Sequence, residues 1–187
     1  MQFRKAKIED IDQIIAIAEA QLGYGYLDYS YLYECFHSEK VIIDVVCYRH
    51  KVLGFSISKI LKSNDQANFL AEKINFPSNF FLEKKTYVYR ELTAVDEQAQ
   101  GRGVASRLIS SGIEYFKLKC DYIFCEAWKS SRGVHIHSNL IRNGYKEYIQ
   151  IKDYWFKDSI DKSYACNICR GACRCTAVIY VVDLNND

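Results

Sequence analysis

The chain has little of what marks several large classes of protein. Its 187 residues include one proline, one methionine and two tryptophans, with neither an internal repeat nor a low-complexity tract. This composition excludes collagen-like, proline-rich and intrinsically disordered chains. No apolar run reaches the ~20 residues that a membrane-spanning helix needs. Basic and acidic residues nearly balance, 25 against 23, so the charge does not indicate a nucleic-acid-binding protein.

The chain length, one irregular segment and the N-terminal residues set three further expectations. A chain of 187 residues can bury its core in one unit, so we expect a single domain over residues 1–187. Residues 62–85 hold the only proline, Pro77, and interrupt the pattern, which predicts an insertion that packs on the body or forms one wall of a substrate cleft. The N-terminus carries Arg4, Lys5 and Lys7 instead of an apolar secretory segment, which predicts a cytoplasmic protein.

Two glycines stand between a strand-like segment and a helical one. Residues 87–95 are rich in β-branched and aromatic side chains, and apolar residues recur at helical spacing from Val104 to Phe116. Gly101 and Gly103 allow a sharp turn at the start of that helix. Because free backbone N–H groups and the helix dipole both favour an anion there, the segment predicts a phosphate-binding turn. A strand–turn–helix junction without a ligand is the alternative.

The spacing of this turn differs from two common phosphate-binding motifs. A P-loop needs Lys and then Ser or Thr after its last glycine, and a dinucleotide-binding turn needs a third glycine. Here Gly103 is followed by Val-Ala-Ser. The segment instead resembles the acyl-CoA-binding motif Gln/Arg-x-x-Gly-x-Gly/Ala of the GNAT superfamily of N-acetyltransferases, matched by Gln98, Gly101 and Gly103.

The order of the predicted elements extends this resemblance along the chain. The order is strand, two helices, a strand hairpin, strand, motif helix, strand, helix and two strands. It resembles the GNAT-like acyl-CoA N-acyltransferase fold, of the α/β (mixed α+β) class, with a central mixed sheet flanked by helices. The predicted strands span residues 2–7, 41–48, 52–60, 87–95, 121–128, 145–156 and 177–184, and the predicted helices span 9–22, 29–37, 104–116 and 135–142.

The resemblance implies acetyl-CoA as the cosubstrate and a primary amine as the acceptor. It implies that backbone amides of the turn bind the pyrophosphate and that pantetheine bonds to the backbone of strand 87–95. Ser106 would add a hydroxyl contact. The implied cofactor-binding residues are Leu92, Thr93, Val95, Gln98, Ala99, Gln100, Gly101, Arg102, Gly103, Val104, Ala105 and Ser106.

Amine acylation also needs a base, because an ammonium group cannot attack a thioester before it loses a proton. Glu91 stands where some members of the family carry a glutamate base, so it is the predicted catalytic residue. The alternative is a structural charge paired with Arg90 or Arg107.

The general acid departs from the family pattern. The positions at which members often have a tyrosine and an asparagine hold Leu140 and Gly133 here. Tyr145, His135 and His137 are the substitutes that the sequence offers, and departure of the thiolate without a protein acid is the alternative.

Five tyrosines crowd the region between the first two predicted helices, where GNAT proteins usually line the acceptor pocket. A pocket surface made of these tyrosines would offer ring faces to a cation and hydroxyls for orientation. Packing of the helices on the sheet is the alternative. The sequence does not distinguish a small amine from a peptide acceptor. The tyrosines are Tyr24, Tyr26, Tyr29, Tyr31 and Tyr33.

Four of the eight cysteines lie in one short segment, residues 166–175, with the spacing C-x2-C-x3-C-x-C. Four thiolates around one point suit a tetrahedral structural Zn²⁺ site, since catalytic zinc keeps an open position. Disulfides, an iron–sulfur cluster and redox-sensing free thiols are the alternatives. The predicted ligands are Cys166, Cys169, Cys173 and Cys175.

The sequence therefore predicts an acetyl-CoA-dependent N-acetyltransferase that uses neither nucleic acid nor membrane as a partner, with homodimerisation left open. A non-catalytic CoA-binding sensor would keep Gln98, Gly101 and Gly103 but show no turnover. A zinc-dependent protein-interaction module would use the cysteine loop as its docking surface.

Overall fold

The computed structural model describes residues 1–73, 75–130, 133–164, 166 and 168–185. Position 74 of the predicted insertion and position 167 of the cysteine loop lie outside the described residues. The strands are β1 (Gln2–Lys5), β2 (Val41–Tyr48), β3 (Lys51–Leu61), β4 (Tyr87–Val95), β5 (Tyr122–Ser130), β6 (Gly133–Val134), β7 (Lys146–Ile151) and β8 (Thr176–Asp183). The helices are α1 (Ile11–Leu22), α2 (Tyr29–His37), α3 (Ser63–Glu72), α4 (Val104–Phe116), α5 (His137–Arg142) and α6 (Phe156–Asp161).

The strands form one sheet in the order β1-β2-β3-β4-β5-β8-β7, and β6 pairs with β5. Neighbouring strands are antiparallel except β4 and β5, which run parallel. Their parallel pairing follows from the connection, because α4 crosses over the sheet between them. The predicted mixed α/β fold with a central sheet and flanking helices is confirmed.

Helices cover the two faces of the sheet with different apolar stripes. On one face, α1 and α2 bury Ile11, Ile14 and Leu32 against β2, β3 and β4. On the other face, α4 buries Leu108 and Ile109. The sheet is thus a two-sided scaffold, and among the described residues every helix is too short or too polar to span a lipid bilayer.

Two predicted segments differ from the structure. The predicted strand 145–156 ends at Ile151, and a turn then leads into α6. Asp153 lies in that turn with φ 52°, a left-handed conformation that no strand continues. Tyr154 and Trp155 gave the segment its strand-like apolar character, but their side chains pack into an aromatic core.

The predicted insertion contains a helix, α3, that the polar composition of residues 63–68 concealed. Phe69 of this helix, with Phe76 and Phe80 after it, packs against Phe124 of β5. The segment therefore folds back on the body, as one of its two predicted alternatives states. Among its described residues, Lys73 comes nearest to the cleft described below, by pairing with a carboxylate there.

Candidate functional site

The central cleft forms where β4 and β5 separate. The two strands pair only from Tyr87–Tyr122 to Arg90–Cys125, after which β4 stays with β3 and β5 stays with β8. A cleft of about 720 Å³ opens between the diverging ends. Its lining includes residues 91–95 on one side and residues 126–128 on the other. Unpaired backbone groups of β4 therefore face the opening, where an extended ligand could bond to them.

The glycine turn lies at one end of this cleft. Gly101 and Gly103 have φ values of 72° and 81°, and Gly103 is the N-cap of α4. A Cβ at either glycine would meet no atom within 4 Å, so the space beside the turn is open. Within the described chain, the N–H groups of Gly103 and of the first three residues of α4 donate to no acceptor. The turn thus presents free donors to the cleft at the positive end of a helix dipole.

Glu91 lies at a β-bulge in β4. Ile57 of β3 pairs with Leu92 and Ser58 pairs with Arg90, so Glu91 is the extra residue. Such a bulge changes the direction of the side chains that follow it. The bulge directs the Glu91 carboxylate into the cleft.

Two donors hold that carboxylate. Lys59 of β3 pairs with Glu91 Oε1 at 3.0 Å, and the Tyr31 hydroxyl donates to Oε2. Burial, together with the Glu91 carboxylate, raises the pKa of Tyr31 far above its ordinary value, so this hydroxyl stays protonated. Glu91 keeps about a quarter of its side chain exposed, 26%, which leaves it accessible to a ligand.

A second carboxylate, Glu126 of β5, also lines the cleft. Its side chain is only 3% exposed and pairs with Lys73 at 3.3 Å. The Tyr89 hydroxyl donates to Glu126 Oε2 at 2.9 Å, and the Tyr154 hydroxyl donates to Oε1. Three donors satisfy this buried charge. Glu126 was not among the predicted site residues, because an acid within an apolar strand gives no sign of which face it occupies.

Comparisons with known proteins find similar folds among solved structures but no match in sequence. No protein-family model matches the chain, and no curated protein matches it in sequence. Among solved structures, Arabidopsis thaliana NAA60 in complex with a bisubstrate analogue superposes with a TM-score of 0.73 at 13% identity, covering 100% of this chain and 99% of that one. NAA60 in complex with acetyl-CoA gives 0.71 at 14%, with 99% of each chain covered.

Two bacterial structures are also similar. The ribosomal-protein-S18-alanine N-acetyltransferase from Escherichia coli has a TM-score of 0.68 at 12% identity, covering 100% of this chain and 95% of that one. A GNAT-family protein from Desulfovibrio desulfuricans has 0.61 at 11%, with 98% of each chain covered. The chain has the GNAT fold. At these identities the likeness is one of fold, and it confirms at that level the resemblance read from Gln98, Gly101 and Gly103.

Most of the predicted cofactor-binding residues lie together in the cleft of this GNAT fold. Gln98 and Arg102 are exposed and do not belong to the cleft lining. Gln98 Oε1 lies 3.5 Å from Lys51 Nζ. The Thr93 hydroxyl is buried without a hydrogen-bond partner, which leaves a polar atom for a ligand to satisfy. The predicted residues that line the cleft are Glu91, Leu92, Thr93, Val95, Ala99, Gln100, Gly101, Gly103, Val104, Ala105 and Ser106.

The substitutes for the missing acid are spread over different environments. Leu140 is fully buried on the cleft wall, where it can donate no proton. The Tyr145 hydroxyl is buried outside the cleft, and burial raises its pKa to about 12. His137 Nδ1 lies 2.7 Å from the Tyr180 hydroxyl, whereas His135 lines the cleft. Asn139, which the sequence analysis overlooked, also lines it.

Of the five tyrosines near the acceptor end, two reach the site. Tyr26 lines the cleft and Tyr31 bonds to Glu91. The other three do not contribute to the tyrosine-lined pocket surface that the sequence allowed. Tyr24, Tyr29 and Tyr33 are 83%, 51% and 46% exposed, because they lie on the outer side of the loop and of α2.

The four clustered cysteines converge on one point. Their sulfur atoms all lie within 4.8 Å of one another. The Cys169–Cys175 and Cys166–Cys175 sulfur distances are 3.6 and 3.9 Å. A tetrahedral zinc ion with four thiolates requires about 3.8 Å between sulfurs. The sulfur spacing therefore fits a thiophilic divalent metal, and all eight cysteines, which lie in the described part of the chain, are free thiols.

Proposed function

We propose that the protein is an acetyl-CoA-dependent N-acetyltransferase. The observation that carries the proposal is the separation of β4 from β5 beside a glycine turn with free N–H donors. The likeness to NAA60, solved with acetyl-CoA and with a bisubstrate analogue, supports it.

Acetyl-CoA would lie along the cleft. The pyrophosphate would accept hydrogen bonds from the N–H groups of Gly103 and residues 104–106, and the pantetheine arm would pair with the free edge of β4 near Leu92, Thr93 and Val95. This placement uses the backbone donors that the fold leaves unpaired, and it brings the thioester close to Glu91 and Glu126.

Glu91 would act as the base, directly or through water. It takes one proton from the bound ammonium, and the neutral amine attacks the thioester carbonyl. A carbon–nitrogen bond forms, the nitrogen loses its second proton to water, the carbon–sulfur bond breaks, and the products are an amide and CoA thiolate. The thiolate takes its proton from solvent, since Leu140 occupies the usual tyrosine position.

The acceptor end favours an amine in its cationic form. Tyr26, Trp128 and Trp155 supply aromatic faces, and Glu91 and Glu126 supply carboxylates. We propose a primary amine of a small molecule or a peptide. The E. coli structure, named as a ribosomal-protein-S18-alanine N-acetyltransferase, supports a peptide among these.

The cysteine cluster would hold one structural Zn²⁺. Four thiolates saturate a tetrahedral ion, which supplies a crosslink between chain segments and no open position for chemistry. Reduced thiols at such a site suit the cytoplasm, where we propose that the protein acts.

The test is an acetylation assay in which CoA is quantified by chromatography, because the protein's own thiols would react with a thiol reagent. The panel contains diamines, amino sugars and peptides with free N-termini. For an acetylated amine, Glu91→Gln should lower kcat at least ~100-fold with acetyl-CoA affinity within about twofold, as expected for loss of a general base.

The matched control is Glu83→Gln, which removes a carboxylate that is 89% exposed and outside the cleft. It should leave kcat unchanged. An active Glu91→Gln variant would exclude Glu91 as the base. A protein that binds acetyl-CoA but acetylates nothing on the panel would instead support the CoA-binding sensor.

A further inference from the structure

The cysteine cluster and the acceptor end of the cleft share residues. A small cavity of about 50 Å³ lies between them, and Cys166 and Cys173 line it. Four of its other lining residues, Leu22, Tyr26, Trp128 and Trp155, also line the main cleft. We call the three aromatic ones and Tyr164 the aromatic wall. The wall is therefore one side-chain layer thick, with the cluster behind it.

Hydrogen bonds tie the loop to the wall. The Cys173 N–H donates to Ser159 Oγ at 2.8 Å, and the Ser159 N–H donates to the Trp155 carbonyl at 2.9 Å. The Tyr154 N–H donates to the Cys175 carbonyl at 3.2 Å, and the Tyr154 hydroxyl holds Glu126. A shift of the loop would therefore move α6, Trp155 and the Glu126 carboxylate together.

The other end of the wall depends on the same segment. Tyr164, two residues before Cys166, packs edge-on against Tyr26 with ring centroids 5.1 Å apart. Cys175 leads directly into β8, where Ala177 pairs with Trp128. The four members of the wall thus come from the α1–α2 loop, β5, the residue before α6 and the segment just before the cysteine loop. Packing and a few hydrogen bonds, including the one that the Tyr164 hydroxyl donates to Asp158 Oδ2 at 3.0 Å, bring them together, and a crosslinked loop would add a further constraint.

The acetyl-CoA end has a different support. The turn at Gly101 and Gly103 lies between the end of β4 and α4, where the buried residues pack in clusters that hold none of the four loop cysteines: Leu92 and Ala94 in one, Val104 and Leu108 in the other. Loss of order in the cysteine loop would leave these contacts in place. The two ends of the cleft should therefore respond differently to the metal.

We propose that one thiophilic divalent metal ion, bound by Cys166, Cys169, Cys173 and Cys175, holds the aromatic wall in place and so controls the acceptor end of the cleft without controlling acetyl-CoA binding. This inference rests on the proposed function for the meaning of the acceptor end, and on the cluster geometry for the metal.

The chain provides its own probe, because Trp128 and Trp155 are its only tryptophans and both belong to the wall. The experiment measures acrylamide quenching of tryptophan fluorescence in the zinc-loaded protein, after chelation, and after Zn²⁺ is restored. Chelation should raise the quenching constant at least twofold, and Zn²⁺ should reverse the change. Calorimetry on the same samples should give acetyl-CoA dissociation constants within threefold of each other.

Cys169→Ser removes the one exposed ligand and should reproduce the effect of chelation. Ala172→Ser is the matched control, since it places the same side chain at an exposed loop position that offers no sulfur. It should keep one metal ion per chain and the parent's quenching. If Cys169→Ser does not fold, the chelated parent, monitored by far-UV circular dichroism, gives the same comparison.

Two results would overturn the inference. A quenching constant that does not change on metal removal would show that the aromatic wall keeps its packing without the ion. Acetyl-CoA affinity that falls in parallel with the rise in quenching would show that the ion supports the whole cleft. A metal-loaded parent that binds no acetyl-CoA would overturn the proposed function, whereas unchanged quenching in a parent that binds acetyl-CoA overturns this inference alone.

Discussion

At the scale of single residues, Gly101 and Gly103 shape the turn at one end of the cleft, and the Glu91 and Glu126 side chains line it. Gly101 and Gly103 could be predicted because a left-handed turn before a helix leaves few alternatives to glycine. Glu91 could be named from its position, but its bulge could not, because a bulge depends on the register with β3. Glu126 and Asn139 were missed because a lone polar residue does not show which surface it will face.

Asp10 gives a residue-scale prediction about pH. Its carboxylate accepts two hydrogen bonds from Arg4, at 2.7 and 2.9 Å, and one from the Lys7 N–H at 2.8 Å. The Arg4 hydrogen bonds, more than the others, hold the pKa of Asp10 below its ordinary value of 3.8. Because the pKa of this carboxyl group is lower in the folded state than in the unfolded state, its ionised form stabilises the fold at pH values above the unfolded-state pKa. This stabilisation is lost as the pH falls through the folded-state pKa.

Asp10→Asn should therefore lower the free energy of unfolding by about 2 kcal/mol at pH 7, the scale of a hydrogen bond to a charged group. The difference from the parent should shrink as the pH falls below 3.8. Urea denaturation at several pH values measures it. Asp12→Asn changes an exposed carboxylate in the first turn of α1, the helix that begins just after Asp10. It should show little effect at any pH. A constant Asp10→Asn difference between pH 7 and pH 3 would contradict this account.

At the scale of elements, strong local patterns were predictable and mixed ones were not. The range of α2, residues 29–37, and that of β2, residues 41–48, match the sequence prediction. The strand predicted over 145–156 was wrong beyond Ile151, because aromatic residues that pack from a turn look like those of a strand. Helix α3 was missed because its apolar residues lie at its C-terminal end, where Phe69 enters the aromatic core.

Gly54 of β3 gives the element-scale prediction. A Cβ there would lie 2.8 Å from Val104 Cγ1 and 2.9 Å from the Ala94 carbonyl oxygen, so only glycine lets the start of α4 approach the sheet this closely. Gly54→Ala should lower the free energy of unfolding by about 2 kcal/mol, as overpacking of a core does. It should also weaken acetyl-CoA binding, because the start of α4 must move.

Gly171→Ala is the control for this change, since a Cβ there meets no atom within 4 Å and needs no left-handed backbone. Chemical denaturation and calorimetry of both variants make the comparison. A Gly54→Ala protein as stable as Gly171→Ala, with unchanged acetyl-CoA affinity, would refute the close approach.

At the scale of the whole molecule, the mixed α/β fold class followed from the order of elements. The strand order, with β8 between β5 and β7, was not predicted, because it depends on contacts between strands that are distant in sequence. The link between the cysteine loop and the cleft did not follow, because it joins residues far apart in sequence through Trp128 and Tyr26. The single domain over residues 1–187 remains a prediction.

Metal removal gives the whole-molecule prediction. An ion that binds the folded chain but not the unfolded one adds stability by mass action, so chelation should lower the Tm of the zinc-loaded protein by roughly 10 °C. Differential scanning calorimetry measures this shift, and Zn²⁺ should reverse it. The Ala172→Ser variant should lose the same amount as the parent. An unchanged Tm after verified metal loss would show that the cluster contributes no stability.

The central claim, an acetyl-CoA site at the glycine turn, is tested most directly by calorimetric titration of the zinc-loaded protein with acetyl-CoA. The parent should bind one equivalent, and Gly103→Glu should not bind, since its carboxylate would occupy and repel the pyrophosphate position. Gly25→Glu, at another left-handed glycine in open space, should bind like the parent. A folded parent that binds no acetyl-CoA, or a Gly103→Glu variant that binds as tightly as the parent, would contradict the account.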